Sequence, residues 1–187
     1  MAANQIEIEV YHGTLDSKAN IILKSRRFIE SNKTIEWLGK GVYFFHLKKD
    51  ADFWAKQETK NKLSQCSKAA VLSAVLKTES EKFLDLDNPD VATRVDGELI
   101  VIEDELKQHR VGNIKFKGKH RDHFLLCYYI NVYCELNPDI TLVAFSFPKE
   151  GENKCNWFGL PIKRRQYCVK NQDIIIELKK EVQNYAI

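Results

Sequence analysis

The periodicity of apolar residues limits this chain to short strands mixed with a few helices, without a regular β-α-β order. Residues 6–10 alternate apolar and polar side chains, which is typical of a half-buried strand. Further strands are predicted at 42–45, 69–76, 83–86, 140–147, 163–170 and 174–178. Helical spacing predicts helices over 18–25, 49–63, 91–107 with an interruption near Gly97, and 120–136. We therefore predict an α+β fold.

Length and charge bound the domain organisation and the partners. The chain has 187 residues, so we expect a single domain over 1–187, because neither a repeat nor a linker divides it. A net charge of +3 is too small for binding nucleic acid by charge alone. Basic residues nevertheless cluster at 107–121 and 163–165. If both clusters share a face they would steer a phosphate-bearing partner, and otherwise they are solvated surface.

Cysteine usage and hydropathy favour a cytoplasmic protein with no membrane association. The five cysteines form no C-x-x-C pair, so neither a disulfide framework nor a zinc ribbon is indicated. The first residues lack a secretion signal, and the most apolar run, 124–136, is too short to cross a bilayer. His120, His123 and Cys127 have helical spacing but lack a fourth ligand, so we expect no metal.

The first predicted strand runs directly into His12, Gly13 and Thr14. Because glycine has no Cβ, its flanking peptides are open to a ligand on both sides, and such a peptide suits a carboxamide. The imidazole can meanwhile form a hydrogen bond with a ribose hydroxyl. The alternative is a strand-end histidine satisfied by the backbone and followed by a turn glycine.

A second motif, residues 39–45, brings a tyrosine out of a glycine-rich segment. Gly41 would let the backbone approach a ligand closely, and Tyr43 faces away from the core side of its strand. The ring of Tyr43 could stack on an aromatic group, with Phe53 or Trp54 as the opposite wall. The alternative is that these aromatic residues are ordinary core.

Together, Tyr11-His12-Gly13-Thr14, residues 39–44, and Ala51 with Trp54-Ala55 resemble the ADP-ribosyltransferase superfamily. The resemblance is to the diphtheria-toxin and poly(ADP-ribose) polymerase branch, whose signature is a His, a Tyr and a Glu on three strands. It implies an ADP-ribosyltransferase-like fold, with two small packed antiparallel sheets, flanking helices and an NAD cleft. NAD would be the co-substrate.

The resemblance also implies a role for each residue that matches a motif. His12 would bond the adenosine-side ribose, Gly13 would clamp the nicotinamide amide, and Thr14 would support the ribose. Tyr43 would stack on nicotinamide, with Gly41 beside it and Phe53 or Trp54 as the second wall. The position that often holds a serine in this family falls near Asp50 or Ala51.

The glutamate position of the signature corresponds to Gln166, which would make Gln166 the third catalytic residue beside His12 and Tyr43. Three interpretations remain open. Another group, or the substrate, supplies the base for mono-ADP-ribosylation. Alternatively, Glu152 or Glu177 takes the role of the signature glutamate. In the third interpretation the protein binds NAD without turning it over.

The implied function is that of an NAD-dependent mono-ADP-ribosyltransferase, a bacterial toxin or anti-phage effector. It would modify a macromolecular acceptor, a nucleic acid or a protein, and an antitoxin or inhibitor protein is a possible partner. Two alternatives are a non-catalytic NAD or ADP-ribose binding module and an RNA-binding protein that uses the basic clusters.

Overall fold

The structure is a computed structural model that describes residues 4–33, 36–60, 68–108, 121–148 and 162–182, without the side chains of 105–108 and 121–123. Within these ranges the strands are β1 Gln5–Leu15, β2 Val42–Phe45, β3 Ala69–Glu79, β4 Phe83–Asp85, β5 Leu142–Pro148, β6 Lys163–Val169 and β7 Ile175–Lys180. The helices are α1 Asp16–Ser25, α2 Lys48–Lys60, α3 Pro89–Gln108 and α4 Arg121–Leu136. The predicted α+β class is confirmed.

The strands form one mixed sheet in the order β4-β5-β6-β2-β1-β3-β7. Strands β4 and β5 are parallel, and every other neighbouring pair is antiparallel. The structure therefore has one mixed sheet in place of the two small packed antiparallel sheets that the resemblance implied. The two halves are joined by a single pair, Tyr11 with Phe45, between β1 and β2. By contrast, β1 pairs with β3 along its whole length, from Gln5 to Leu15.

Both faces of the sheet are covered, which explains why adjacent residues of one strand enter different hydrophobic clusters. Tyr167 packs on the face that receives Ala19 and Ile22 of α1. Its neighbour Cys168 packs on the opposite face, against α3 and α4, where Ile130 and other buried side chains lie. Burial of one large apolar side chain contributes about 1.5–3 kcal/mol. The core therefore fixes the central strands from both sides.

Helix α2 covers the junction of β1 and β2. Ala51 and Ala55 are fully buried and pack with Phe45 and Val71 in a separate small cluster. Small residues on this helix face permit a close approach to the strands. This contact positions α2 beside the residues that follow the Tyr11–Phe45 pair.

The third helix departs from its predicted form. Helix α3 runs without interruption through Gly97, and a Cβ placed on Gly97 would have no neighbour within 4 Å. A glycine in a helix interior lowers helix propensity by about 1 kcal/mol but does not by itself end the helix. The predicted end of α2 at residue 63 lies outside the described residues. Within the described part of the chain, no helix has the length and apolarity to cross a membrane.

Candidate active site

Strands β1 and β2 separate immediately after the Tyr11–Phe45 pair, and the side chain of His12 occupies the gap. If pairing continued in register, Gly13 would lie opposite Tyr43. Instead, the Nδ1 atom of His12 lies 2.8 Å from the carbonyl oxygen of Tyr43. Because a carbonyl can only accept, Nδ1 donates, and the Nε2 atom of the neutral ring is left as an acceptor. The imidazole thus replaces a backbone contact at the point where the strands diverge.

The His12 ring is enclosed by aromatic side chains. Its centroid lies 5.0 Å from that of Phe28 and 5.6 Å from that of Phe44, both edge-on. Burial lowers the pKa of His12 from its ordinary value, and the bond to Tyr43 and the charge of Glu58 oppose that shift only in part. His12 is therefore neutral at neutral pH.

A cavity of about 240 Å³ opens beside this gap, and we call it the aromatic cavity. Its lining comes from β1, β2, β6, α2 and the loop before β2. The lining residues are His12, Gly13, Lys33, Glu36, Tyr43, Phe45, Trp54 and Gln166. Five of the residues predicted to form the site thus line one cavity, although they are far apart in the sequence.

Tyr43 is held rigidly at the wall of the aromatic cavity. Its hydroxyl donates to the carbonyl oxygen of Gly39 at 2.6 Å and accepts from the amide of Leu38 at 3.0 Å. Burial strongly raises the pKa of Tyr43, so the phenol stays protonated throughout the physiological range. With its hydroxyl engaged, Tyr43 can offer a ring face but is poorly suited to act as an acid or base.

Phe53 and Trp54, the two candidates for the second wall, occupy different positions on α2. Trp54 lines the aromatic cavity and stacks on Phe45, with ring centroids 6.2 Å apart and an interplanar angle of 15°. Phe53 is not among the lining residues of that cavity, and the guanidinium of Arg164 lies 5.1 Å from its ring centroid. Among the described lining residues, Trp54 and Phe45 are therefore the aromatic side chains beside Tyr43 and the imidazole of His12.

Close packing requires glycine at two positions of the motifs, Gly13 and Gly41. A Cβ on Gly13 would lie 2.0 Å from the carbonyl oxygen of Ala51, so α2 could not approach β1 with any larger residue there. Gly41 has a φ of +154°, and a Cβ there would lie 2.6 Å from the Sγ atom of Cys168. Gly13 lines the aromatic cavity, whereas Gly41 packs against β6 and is not a lining residue. Gly41 thus has a structural reason to be glycine.

A second cavity of about 370 Å³ adjoins the first, and we call it the polar cavity. The two share His12, Gly13 and Lys33 as lining residues, so they lie side by side, and we call the pair the combined cleft. The polar cavity is also lined by Thr14, Lys18, Ile21, Ile22, Arg27, Phe28, Ile29, Glu30, Ser31 and Glu58. Small-molecule sites usually enclose roughly 300–1,000 Å³, and the combined cleft falls within that range.

The predicted serine-like position and the predicted carboxylate Glu177 do not line the aromatic cavity. Asp50 is ion-paired with Arg164 at 2.9 Å, and Ala51 is fully buried against Gly13. Glu177 lies on β7, beyond β1 and β3, and pairs with Lys179 at 2.9 Å. Glu152 is outside the described residues. Of the two predicted substitutes for Gln166, the one within the described residues, Glu177, is therefore not at the aromatic cavity.

Three lining residues, Lys33, Glu36 and Phe45, were not predicted. Lys33 and Glu36 come from the polar loop before β2, where no periodicity or motif distinguishes one charged residue from another. Phe45 is 7% exposed, and its position in an aromatic strand is equally typical of a core residue. Only the three-dimensional approach of β1, β2 and α2 identifies them.

The basic cluster at 163–165 is largely neutralised by carboxylates. Arg165 pairs with Asp85 at 2.9 Å and also with Asp87, while Arg164 is the partner of Asp50. The basic segment 109–120 lies outside the described residues, as do the side chains of His120 and His123. Among the described residues, no group of three or more His, Cys, Asp or Glu side chains could hold a metal ion.

Comparison with known proteins gives one partial likeness. An uncharacterized protein of Methanocaldococcus jannaschii is 28% identical over 81 residues, which cover 43% of this chain and 38% of that protein. No family model matches the chain, and no solved structure matches it. The name of the archaeal protein states no activity, so this similarity does not indicate a function.

Proposed function

We propose that this chain is an NAD-dependent ADP-ribosyltransferase with an ADP-ribosyltransferase-like fold. The observation that supports this most strongly is that His12, Tyr43 and Gln166 line one cavity, with Trp54 beside them. These are the positions at which the chain resembles the His-Tyr-Glu signature. The cavity lies where β1 and β2 diverge. The sequence resemblance does not specify that divergence.

In this proposal, NAD lies along the combined cleft. The nicotinamide ring enters the aromatic cavity, where Tyr43 and Trp54 provide ring faces and the Gly13 backbone pairs with the carboxamide. The adenosine half lies in the polar cavity, with a ribose hydroxyl donating to the Nε2 atom of His12. Lys33, which lines both cavities, is suited to the diphosphate between the two halves.

The reaction proposed is cleavage of the bond between the pyridinium nitrogen and the anomeric carbon of ribose. The bonding electrons go to nitrogen, so neutral nicotinamide departs and positive charge develops on the sugar. The cleft contributes by fixing both ends of NAD and by stacking on the departing ring. Gln166 can bond a hydroxyl of the nicotinamide ribose, but its amide brings no charge. The acceptor then bonds to the anomeric carbon.

The acceptor in this proposal is a macromolecule, a nucleic acid or a protein. Its modification inside a cell would fit a toxin or an anti-phage effector. Because Arg164 and Arg165 are paired with carboxylates, they offer little free positive charge to a nucleic acid. These two arginines are therefore not an argument for a nucleic-acid acceptor over a protein acceptor.

A second candidate, a non-catalytic NAD-binding module, is favoured by one observation. The side chain at the glutamate position of the signature is the amide of Gln166, and it lines the aromatic cavity. Such a module would use the same cleft and would leave the glycosidic bond intact.

The test is nicotinamide release from NAD by the purified protein, followed by mass spectrometry of protein and nucleic acid from a cell extract treated with both. We expect nicotinamide release and a covalent ADP-ribose adduct on one acceptor class. NAD binding without release would support the module instead. Absence of both binding and release would contradict the proposed function.

A further inference from the structure

We infer that Glu36 supplies the carboxylate that the third signature position lacks. This inference rests on the proposed function, since it assigns a catalytic residue for NAD cleavage in the same cleft. It concerns a residue of the loop before β2, outside the three strands on which the signature lies.

The position of Glu36 is the first argument. Among the described residues that line the aromatic cavity, Glu36 is the one acidic side chain. It shares this lining with Tyr43 and Gln166. Its side chain is 21% exposed, so it is partly withdrawn from water yet reaches the cavity. A carboxylate in such a place interacts with a developing positive charge more strongly than one on the open surface.

The second argument is that Glu36 is held in place by one of its two oxygens. The hydroxyl of Ser31 donates to the Oε1 atom of Glu36, and the Nζ atom of Lys33 lies 4.0 Å from the same oxygen. Both of these contacts are to Oε1, and neither of them engages Oε2. An anchored carboxylate is suited to act on a substrate without reorganising.

The chemistry of the reaction needs such a group. As the bond to nicotinamide breaks, the anomeric carbon gains positive charge, which a carboxylate stabilises and the amide of Gln166 does not. The acceptor, written X–H, forms its new bond to that carbon and releases a proton, which Glu36 accepts and passes to water. The balance is NAD⁺ plus X–H giving X–ADP-ribose, nicotinamide and H⁺. In this assignment Gln166 bonds the ribose and Glu36 supplies the charge.

The experiment compares Glu36→Gln with a matched control, Glu79→Gln, in the full chain. Glu79 also forms an ion pair with a lysine three residues away, Lys82, at 3.0 Å, but it lies at the end of β3. NAD binding is measured by calorimetry, and kcat and KM are measured from nicotinamide release. We expect Glu36→Gln to lower kcat by roughly 10²–10⁴-fold while NAD binding and melting temperature stay near those of the wild type. Glu79→Gln should leave all of these unchanged.

A double variant, Glu36→Gln with Gln166→Glu, tests whether NAD cleavage requires a carboxylate in the cavity or only the contacts of Glu36 within the loop. Recovery of most of the lost kcat would support the inference, because the charge would return from another strand. An unchanged kcat in Glu36→Gln would overturn it. The inference would also be overturned if Ser31→Ala lowered kcat as much as Glu36→Gln does and both variants lowered the melting temperature equally. Glu36 would then act only by ordering the loop. A wild-type protein that neither binds nor cleaves NAD would contradict the proposed function itself.

Discussion

The imidazole of His12 bonds the carbonyl oxygen of Tyr43 at 2.8 Å, across the gap between two strands that have just stopped pairing. This contact ties the first signature residue to the backbone of the second. It fixes the tautomer of His12 and sets its ring at the junction of the two cavities. His12 therefore lines the cleft and also links the two strands by a side-chain hydrogen bond beyond the point where their backbones stop pairing.

Replacing His12 by alanine should destabilise the fold as well as remove a ligand contact. The carbonyl of Tyr43 would lose its hydrogen bond to the imidazole, which costs about 0.5–1.5 kcal/mol. Urea denaturation measures this loss as a lower midpoint. His46→Ala is the control, because His46 is exposed and should change the midpoint little. Equal midpoints for His12→Ala and the wild type would contradict the structural role.

The pH dependence of stability should report the same residue. Burial holds the pKa of His12 below its ordinary value of 6.5, so the folded protein binds this proton less readily than the unfolded chain. The stabilisation is present above the unfolded-state pKa and is lost as pH falls below about 6.5 toward the folded-state pKa. Comparing the free energy of unfolding of the wild type and His12→Gln from pH 7.5 downward checks this. If the free energy of unfolding falls equally with pH in the two proteins, the prediction is contradicted.

Two neighbouring aromatic residues on α2 provide a matched test of the aromatic cavity. Trp54 and Phe53 are 46% and 45% exposed, but only Trp54 is among the lining residues of the aromatic cavity. Stacking on an aromatic side chain contributes about 1–3 kcal/mol per base. Trp54→Ala should weaken NAD binding by about that amount, whereas Phe53→Ala should leave it nearly unchanged. Titration calorimetry gives both values, and equal losses would disprove the assignment of the wall.

Alanine substitution at two glycines should have opposite effects on stability. At Gly13 the added methyl would meet the carbonyl oxygen of Ala51 at 2.0 Å and push α2 away from β1, which costs about 1–3 kcal/mol or more. At Gly97 in α3 the space is open, and alanine should stabilise the helix by about 0.4–1 kcal/mol. Thermal unfolding of both variants shows whether each substitution raises or lowers the melting temperature. A melting temperature for Gly13→Ala at or above that of the wild type would refute the close contact.

Local patterns were sufficient to predict the elements that present the candidate site. Alternation identified β1 through His12, and β2 through Tyr43 followed from an aromatic run after glycines. Helical spacing of Ala51 and Ala55 placed α2 correctly, because both are small residues on its buried face. Local periodicity is a strong signal where one face of an element is buried and the other is not.

The remaining features depend on long-range geometry that no local pattern encodes. One hydrogen-bonded pair, Tyr11 with Phe45, decides between one sheet and two, and nothing in either strand specifies that pair. Glu36 reaches the cavity from a loop whose other charged residues look the same in sequence. The sequence predicts Phe45 as a core residue. It is buried, but it also lines the aromatic cavity. These positions follow from the way α2 and the loop meet the diverging strands.

A crystal structure of the protein with NAD, or with a non-cleavable analogue if turnover is fast, tests whether the cleft holds the dinucleotide. We expect the nicotinamide ring in the 240 Å³ cavity between Tyr43 and Trp54, and the adenosine in the 370 Å³ cavity beside His12. A dinucleotide bound elsewhere, or crystals that stay free of ligand at saturating NAD while solution titration also shows no binding, would contradict it.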